Sequence, residues 1–63
     1  MIMWLARDKD GELYLYINRP ERFYNEFRCK IGESLKIEDK YCDFYPKVTW
    51  ENSPKEVEFK IIE

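Results

Sequence analysis

The chain of 63 residues contains no histidine, and this absence limits its chemistry more than any other feature of the sequence. Histidine is the commonest general base, metal ligand and pH switch in proteins. Without it, the chain alone cannot build Ser-His, Cys-His or His-metal sites. The sequence therefore predicts a non-enzymatic protein, with no catalytic residue, no bound metal and no cofactor.

Cysteine is also scarce, with Cys29 and Cys42 as the two copies. Small secreted scaffolds usually carry four or more cysteines, and the opening residues run into Arg7 and Asp8 without the layout of a signal peptide. We therefore expect two reduced thiols and a cytoplasmic location, in preference to one disulfide closing a loop of about a dozen residues. Cys29 has no histidine to activate it, so nucleophilic catalysis is not expected there.

Long hydrophobic runs are absent, since no apolar stretch approaches the roughly 18 residues that a membrane span needs. At 44% hydrophobic residues, the chain is nevertheless too apolar for a disordered protein. Its net charge of −2 has the wrong sign for holding a duplex through many phosphates. The sequence thus predicts a soluble single small β domain over residues 1–63, with neither a membrane nor duplex nucleic acid as a partner.

A β-hairpin is indicated near the N-terminus. Residues 2–7 and 12–18 flank a four-residue turn that ends in Asp10-Gly11, and glycine accepts the positive φ that such turns need. The second strand alternates, which predicts an aliphatic core side and an aromatic outer side. The aliphatic side carries Leu13, Leu15 and Ile17, and the aromatic side carries Tyr14 and Tyr16.

The remaining segments are shorter and partly ambiguous. Residues 22–31 fit helical spacing as well as strand alternation, but their aromatic content favours a strand over residues 26–31. Further strands are predicted over residues 34–38 and 56–62, with Asp39 as the N-cap of one helical turn from Tyr41 to Tyr45. The predicted fold is mostly β, a small antiparallel sheet of four to five strands with at most one short helical turn.

All four arginines lie in the first half of the chain, where several aromatic side chains accompany them. Arginine binds phosphate through a planar fork, and aromatic rings stack on bases. These residue types therefore predict a site for an anionic small molecule, although they also mark protein interfaces, so an oligomer interface stays open. In an oligomer, copies of the cluster would gather around a symmetry axis and raise the local positive potential. The candidate ligand-binding residues are Arg19, Arg22, Arg28, Tyr14, Tyr16 and Tyr24.

Two other groups of residues favour structural interpretations. Trp50 precedes a polar Asn52-Ser53-Pro54 turn, which is more typical of a core anchor than of a stacking platform, and both interpretations stay open. The carboxylates of the second half match no calcium loop and lack a glycine at the required position, so they predict solvated surface. These carboxylates are Glu33, Glu38, Asp39 and Asp43.

The run from Pro46 to Val57 has the pattern P-x-V-T-W-E-N-S-P-x-E-V, and with the opening Trp4 to Asp8 it resembles short uncharacterised phage and prophage proteins of gut bacteria. This resemblance covers about a third of the chain. It implies a bacterial host cytoplasm and a gene pool rich in counter-defence factors that act mostly by binding. The expected function is counter-defence, with a homo-oligomer sequestering an anionic nucleotide signal. The alternative is a protein-protein interaction module that inhibits or caps a host protein.

Overall fold

A computed structural model of the chain describes residues 2–58, which form six short strands and one short helix. The predicted mostly-β fold with a single short helix is confirmed. The strand predicted over residues 56–62 is found over Lys55–Glu58, and its remainder lies outside the described residues. The elements are β1 (Ile2–Arg7), β2 (Leu13–Tyr16), β3 (Glu21–Phe23), β4 (Glu26–Arg28), β5 (Ser34–Lys36), α1 (Asp39–Cys42) and β6 (Lys55–Glu58).

Four of the strands form an antiparallel sheet in the order β5-β2-β1-β6. The first hairpin forms as predicted, because Asp8 N donates to Glu12 O over 2.8 Å and Gly11 adopts φ +96° in the turn. β2 is shorter than the predicted 12–18, and β5 stops at Lys36 instead of residue 38. Leu5 lies opposite Leu15 in the central pair of strands, so both side chains point to the same face.

The segment around residues 22–31 forms a separate two-stranded sheet of β3 and β4, so the helical alternative for this segment is wrong. The strand predicted over residues 26–31 ends at Arg28, and a further strand, which the sequence did not predict, begins at Glu21. The two strands are too short to be stable alone. Their position depends on Phe27, which is buried against the main sheet.

Both faces of the main sheet carry a hydrophobic cluster. On one face Leu5 and Leu13 pack with two residues of the α1 region, Cys42 and Val48. On the other face, a cluster of Ala6, Tyr16 and Phe27 forms beneath the β3–β4 hairpin. The expected aromatic outer side is therefore wrong, because the hairpin covers it. The predicted aliphatic side is correct for Leu13, whereas Ile17 is 50% exposed.

The helix begins two residues earlier than predicted. Glu38, and not Asp39, occupies the N-cap position, and it makes no side-chain capping hydrogen bond. The segment that follows the helix is held by Arg7, whose guanidinium donates to four backbone carbonyls. These acceptors are Val48 O at 2.7 Å, Gly11 O at 2.8 Å, Cys42 O at 3.0 Å and Tyr45 O at 3.2 Å.

Candidate binding surfaces

The three arginines predicted to share one site are divided between two surfaces, with Arg22 apart from Arg19 and Arg28. Arg22 pairs with Phe27 across the hairpin, and Glu21 pairs with Arg28. Since neighbouring residues of a strand point to opposite faces, Arg22 lies on the inner side with Phe27, whereas Arg28 lies on the outer side. The strand register thus separates Arg22 from Arg28.

Arg22 has a structural role in this arrangement. Its guanidinium carbon lies 4.1 Å from the centroid of the Trp50 ring and 5.3 Å from that of Phe27. One of its terminal nitrogens donates to Trp50 O. These cation-π and hydrogen-bond contacts fix the hairpin to the segment around Trp50.

Arg19 and Arg28 line one groove of about 320 Å³ on the exposed side of the hairpin base, together with Lys30 and one carboxylate, Glu21. The Arg19 guanidinium carbon lies 5.4 Å above the Trp4 ring. Arg28 donates from Nε to the carboxylate of Glu26 over 2.8 Å and forms an ion pair with it. The groove therefore gathers three cations in a chain whose net charge is −2. We call it the basic groove.

The walls of the basic groove are joined by hydrogen bonds. Asn18 Nδ2 donates to Ile31 O over 2.9 Å, and Cys29 Sγ lies 2.9 Å from the same carbonyl. Gly32 lies so close to the Asn18 side chain that a Cβ built on the glycine would be 2.5 Å from Asn18 Nδ2. Gly32 also adopts φ +100°. A side chain at position 32 would thus be strained and would displace Asn18.

Two of the predicted tyrosines are committed within the fold. Tyr16 is 4% exposed and donates its hydroxyl to Phe27 O over 3.2 Å, and burial raises its pKa to about 12. The Tyr14 hydroxyl donates to Glu12 Oε2 over 3.1 Å. The pKa of Tyr14 is raised, mainly by burial and secondly by this hydrogen bond. Both rings line a hollow of about 290 Å³ with Arg28, but the carboxylates of Asp8 and Glu26 lie there too. That charge pattern does not favour an anion.

Among the large apolar and aromatic side chains of residues 2–58, that of Tyr24 is the most exposed, at 84%. It occupies the two-residue turn between β3 and β4, with φ +55°. Its ring meets that of Phe23 edge to face, with the centroids 4.7 Å apart. The guanidinium carbon of Arg28 lies over the Phe23 ring, 4.4 Å from its centroid. We call Phe23 and Tyr24 the hairpin tip.

An acidic cluster lies beside the hairpin tip, at a position that sequence analysis did not single out. Asp8, Asp10 and Glu12 bring carboxylate oxygens within 4.8 Å of one another at a hollow of about 570 Å³. Each carboxylate already serves the fold: Asp8 Oδ1 accepts from Phe27 N and Asp10 Oδ1 accepts from Glu12 N, both over 2.9 Å, and Glu12 Oε2 accepts from the Tyr14 hydroxyl over 3.1 Å. Burial raises the pKa of Asp8. We therefore assign the cluster to stabilisation of the turn.

The structure supports the core-anchor interpretation of Trp50. The Trp50 ring contacts Phe27 edge to face with centroids 5.3 Å apart. Asn52 Oδ1 accepts from Thr49 N over 2.8 Å, and Ser53 Oγ accepts from Arg7 N over 2.9 Å. The polar side chains of this turn are thus occupied by backbone groups.

Sequence reasoning missed Lys30, which lines the basic groove, and Gly32, which lies against Asn18 of the groove wall. Neither residue was among the predicted site residues. The sequence offered one signal: Arg28, Lys30 and Gly32 occupy alternate positions after Pro20. Their convergence with Arg19 depends on tertiary packing.

Comparison with known proteins gives no relative on which an assignment could rest: no protein family, no curated protein and no solved structure matches the chain. Within residues 2–58, no helix is both long and apolar enough to cross a membrane. The case for a function therefore depends on the geometry of the exposed surfaces.

Proposed function

We propose that this chain is a non-enzymatic accessory protein of phage type that acts by binding a host protein, and that the hairpin tip is the contact surface. The observation that carries the proposal is Tyr24, which combines 84% exposure with φ +55°. A bulky residue with positive φ is strained, and the usual choices at such a turn are glycine, asparagine and aspartate. Strained residues cluster at functional sites.

The surroundings of Tyr24 suit a binding surface. Phe23 is 45% exposed, and its ring contacts both Tyr24 and Arg28. Tyrosine and arginine are enriched among the residues that dominate binding energy at interfaces. The tip and the adjacent Arg28 therefore offer two aromatic rings and a guanidinium to an apolar pocket that carries hydrogen-bond acceptors.

The hairpin holds these rings in a fixed position. Lys9 N donates to Asn25 O over 3.0 Å, which joins the turn of the hairpin to the turn between β1 and β2. Phe27 is buried and hydrogen bonded through both its N–H and its carbonyl. A surface that is ordered before binding loses less conformational entropy in the complex.

The first prediction concerns Tyr24→Asn. Asparagine tolerates positive φ, so the melting temperature should stay the same or rise, while the loss of the ring removes the main contact. A matched control is Phe44→Ala, which removes another exposed aromatic, 69% exposed, next to α1. We expect Tyr24→Asn to weaken binding about 30-fold, the scale of an interface residue worth 2 kcal/mol, and Phe44→Ala to leave it unchanged.

The measurement has two stages. Immobilised wild type and both variants are incubated with lysate of a gut bacterium, and proteins retained by wild type and Phe44→Ala but lost with Tyr24→Asn are identified. The purified candidate is then titrated into each variant by calorimetry. Retention of the same protein by Tyr24→Asn at equal affinity, or the absence of any protein lost with Tyr24→Asn, would overturn the proposal.

The expectation that an oligomer sequesters a nucleotide signal stays a prediction. Of its six residues, Arg19 and Arg28 share the basic groove, and none of the three tyrosines lines that groove. Stacking of a base on Tyr16 would require exposure of a buried ring. The geometry therefore favours the protein-binding function.

A further inference from the structure

We propose that the basic groove binds the phosphate group of a small phosphorylated molecule, with Arg19, Arg28 and Lys30 as its cationic partners. The groove lining includes neither Phe23 nor Tyr24, although Arg28 contributes to both surfaces, and the proposal does not depend on the proposed protein partner. It rests on the charge of the groove lining, the unused donors of Arg19 and Lys30, and the construction of the groove walls.

The charge of the groove differs from that of the whole molecule. Its lining holds three cations and one carboxylate, Glu21, whereas the chain carries eleven basic and thirteen acidic residues. Glu21 lies directly opposite Arg28 in the hairpin. A phosphate in the groove would compete with this carboxylate, so Glu21 should lower the affinity of the site.

The donors of Arg19 and Lys30 are available. Within residues 2–58, neither side chain donates a hydrogen bond or takes part in an ion pair. Arg19 lies over the Trp4 ring, which restricts its guanidinium plane. Arg28 is paired with Glu26, but both side chains are exposed, at 62% and 46%, so solvent weakens the pair. Arginine at such a position retains further donors for a phosphate oxygen.

The groove is built from two segments that the fold holds together. Asn18 on one side is hydrogen bonded to Ile31 O on the other, and the absence of a side chain at Gly32 permits this approach. Ile31 is 76% exposed beside the cations and offers an apolar surface to the rest of the ligand. A site ordered in this way binds without first closing a loop.

The size and lining of the groove define the class of ligand. A volume of about 320 Å³ lies at the lower end of the range for small-molecule sites. None of its lining residues is aromatic, so a base would not be held by stacking on a ring. We therefore expect recognition of the phosphate, with weak discrimination among nucleosides.

The second prediction is tested by calorimetry with pyrophosphate, ADP, GDP and a cyclic dinucleotide, at about 50 mM salt because phosphate contacts are screened by salt. We expect pyrophosphate, ADP and GDP to bind with affinities within about tenfold of one another. Arg19→Ala and Arg28→Ala should each weaken binding at least tenfold, whereas Glu21→Gln should strengthen it severalfold. Lys47→Ala is the matched control, since Lys47 is an exposed cation outside the groove lining.

The outcomes separate this proposal from others. Binding of the cyclic dinucleotide alone would overturn the inference of phosphate recognition and support base recognition instead. Failure of every probe to bind below about 1 mM, or binding that survives both Arg19→Ala and Arg28→Ala, would also overturn it. Tyr24→Asn should leave phosphate binding unchanged, so failure at the groove and failure at the hairpin tip are distinguishable.

Discussion

Tyr16 shows at the residue scale how one hydroxyl decides whether a ring belongs to the surface or to the core. Alternation along β2 placed it on an aromatic side that could face solvent. In the structure its hydroxyl donates to the carbonyl oxygen of Phe27, and Phe27 is the residue that anchors the β3–β4 hairpin. The ring therefore supports a tertiary contact, and its ionisation would oppose the fold.

The third prediction follows from the pKa of Tyr16, which burial raises from 10.0 to about 12. Between these values the folded chain keeps a proton that the unfolded chain releases. Stability should therefore be full below about pH 10 and fall as the pH rises to 12, by up to about 3 kcal/mol from this group alone. Urea unfolding from pH 8 to 11.5 measures the loss.

Tyr16→Phe provides the control. The variant should lose about 1 kcal/mol at pH 8, because the hydrogen bond to Phe27 O is gone. Its stability should then fall less steeply above pH 10 than that of the wild type. Equal slopes for the two proteins would show that Tyr16 ionises as readily in the folded chain as in water.

At the scale of elements, the side chain of Arg7 joins three separate parts of the chain. Its guanidinium reaches carbonyls of the β1–β2 turn, of α1 and of the segment after α1. The helix has four residues and lacks a side-chain cap, so it cannot be stable by itself. Arg7 therefore supplies much of what keeps this segment over the first hydrophobic cluster.

The fourth prediction is that Arg7→Lys destabilises the fold by about 2 to 4 kcal/mol, because an ammonium keeps the charge but cannot serve four acceptors arranged for a planar fork. Arg28→Lys, at an exposed ion pair, should cost less than about 1 kcal/mol. Thermal unfolding of both variants measures the difference.

A second readout for Arg7→Lys uses Cys42, which is 8% exposed beneath the same segment. In a Cys29→Ser background, Arg7→Lys should make Cys42 react faster with a thiol reagent under native conditions. An unchanged rate together with unchanged stability would show that the segment is held without Arg7.

The two hairpins show how far sequence reasoning reaches at this scale. The β1–β2 hairpin was predictable because alternation and the Asp10-Gly11 turn are local signals. The β3–β4 hairpin has no comparable turn sequence, and it is stabilised by distant contacts of Phe27 and Arg22. Local patterns do not encode such contacts.

The candidate site was predictable as a group of residue types but not as a place. Whether two arginines share a surface depends on strand register, and a shift of one residue reverses the face of every side chain. The sequence left residues 22–31 undecided between helix and strand, so the faces of Arg22 and Arg28 could not be derived. Arg19 and Arg28 came together through the fold of the loops on either side.

At the scale of the whole molecule, the exposed apolar groups have a different distribution from the one expected. The hairpin covers the aromatic side of β2, where Tyr16 is buried. Leu35 and Ile17 are instead 63% and 50% exposed on the aliphatic face, near the β5 edge of the main sheet. The outer edge of β5 pairs with no other strand among the described residues.

The fifth prediction is that the chain self-associates through this edge, by pairing β5 with β5 of a second copy around a twofold axis. Sedimentation should show a concentration-dependent dimer at high micromolar protein. Leu35→Lys should return the protein to a monomer, whereas Phe44→Ala should not. A wild-type monomer of 7.8 kDa across that range would contradict the prediction.

The pairing of β1 with β6 has a consequence for how the protein is made. Ile2 lies opposite Glu58, so the first described strand is completed by the last, with nearly all of the described chain between them. Contacts so distant in sequence close slowly. During synthesis, β1 can pair with β2 early, but its second edge stays open until residues 55–58 have left the ribosome. The nascent chain should therefore gain resistance to protease in one late step and not progressively.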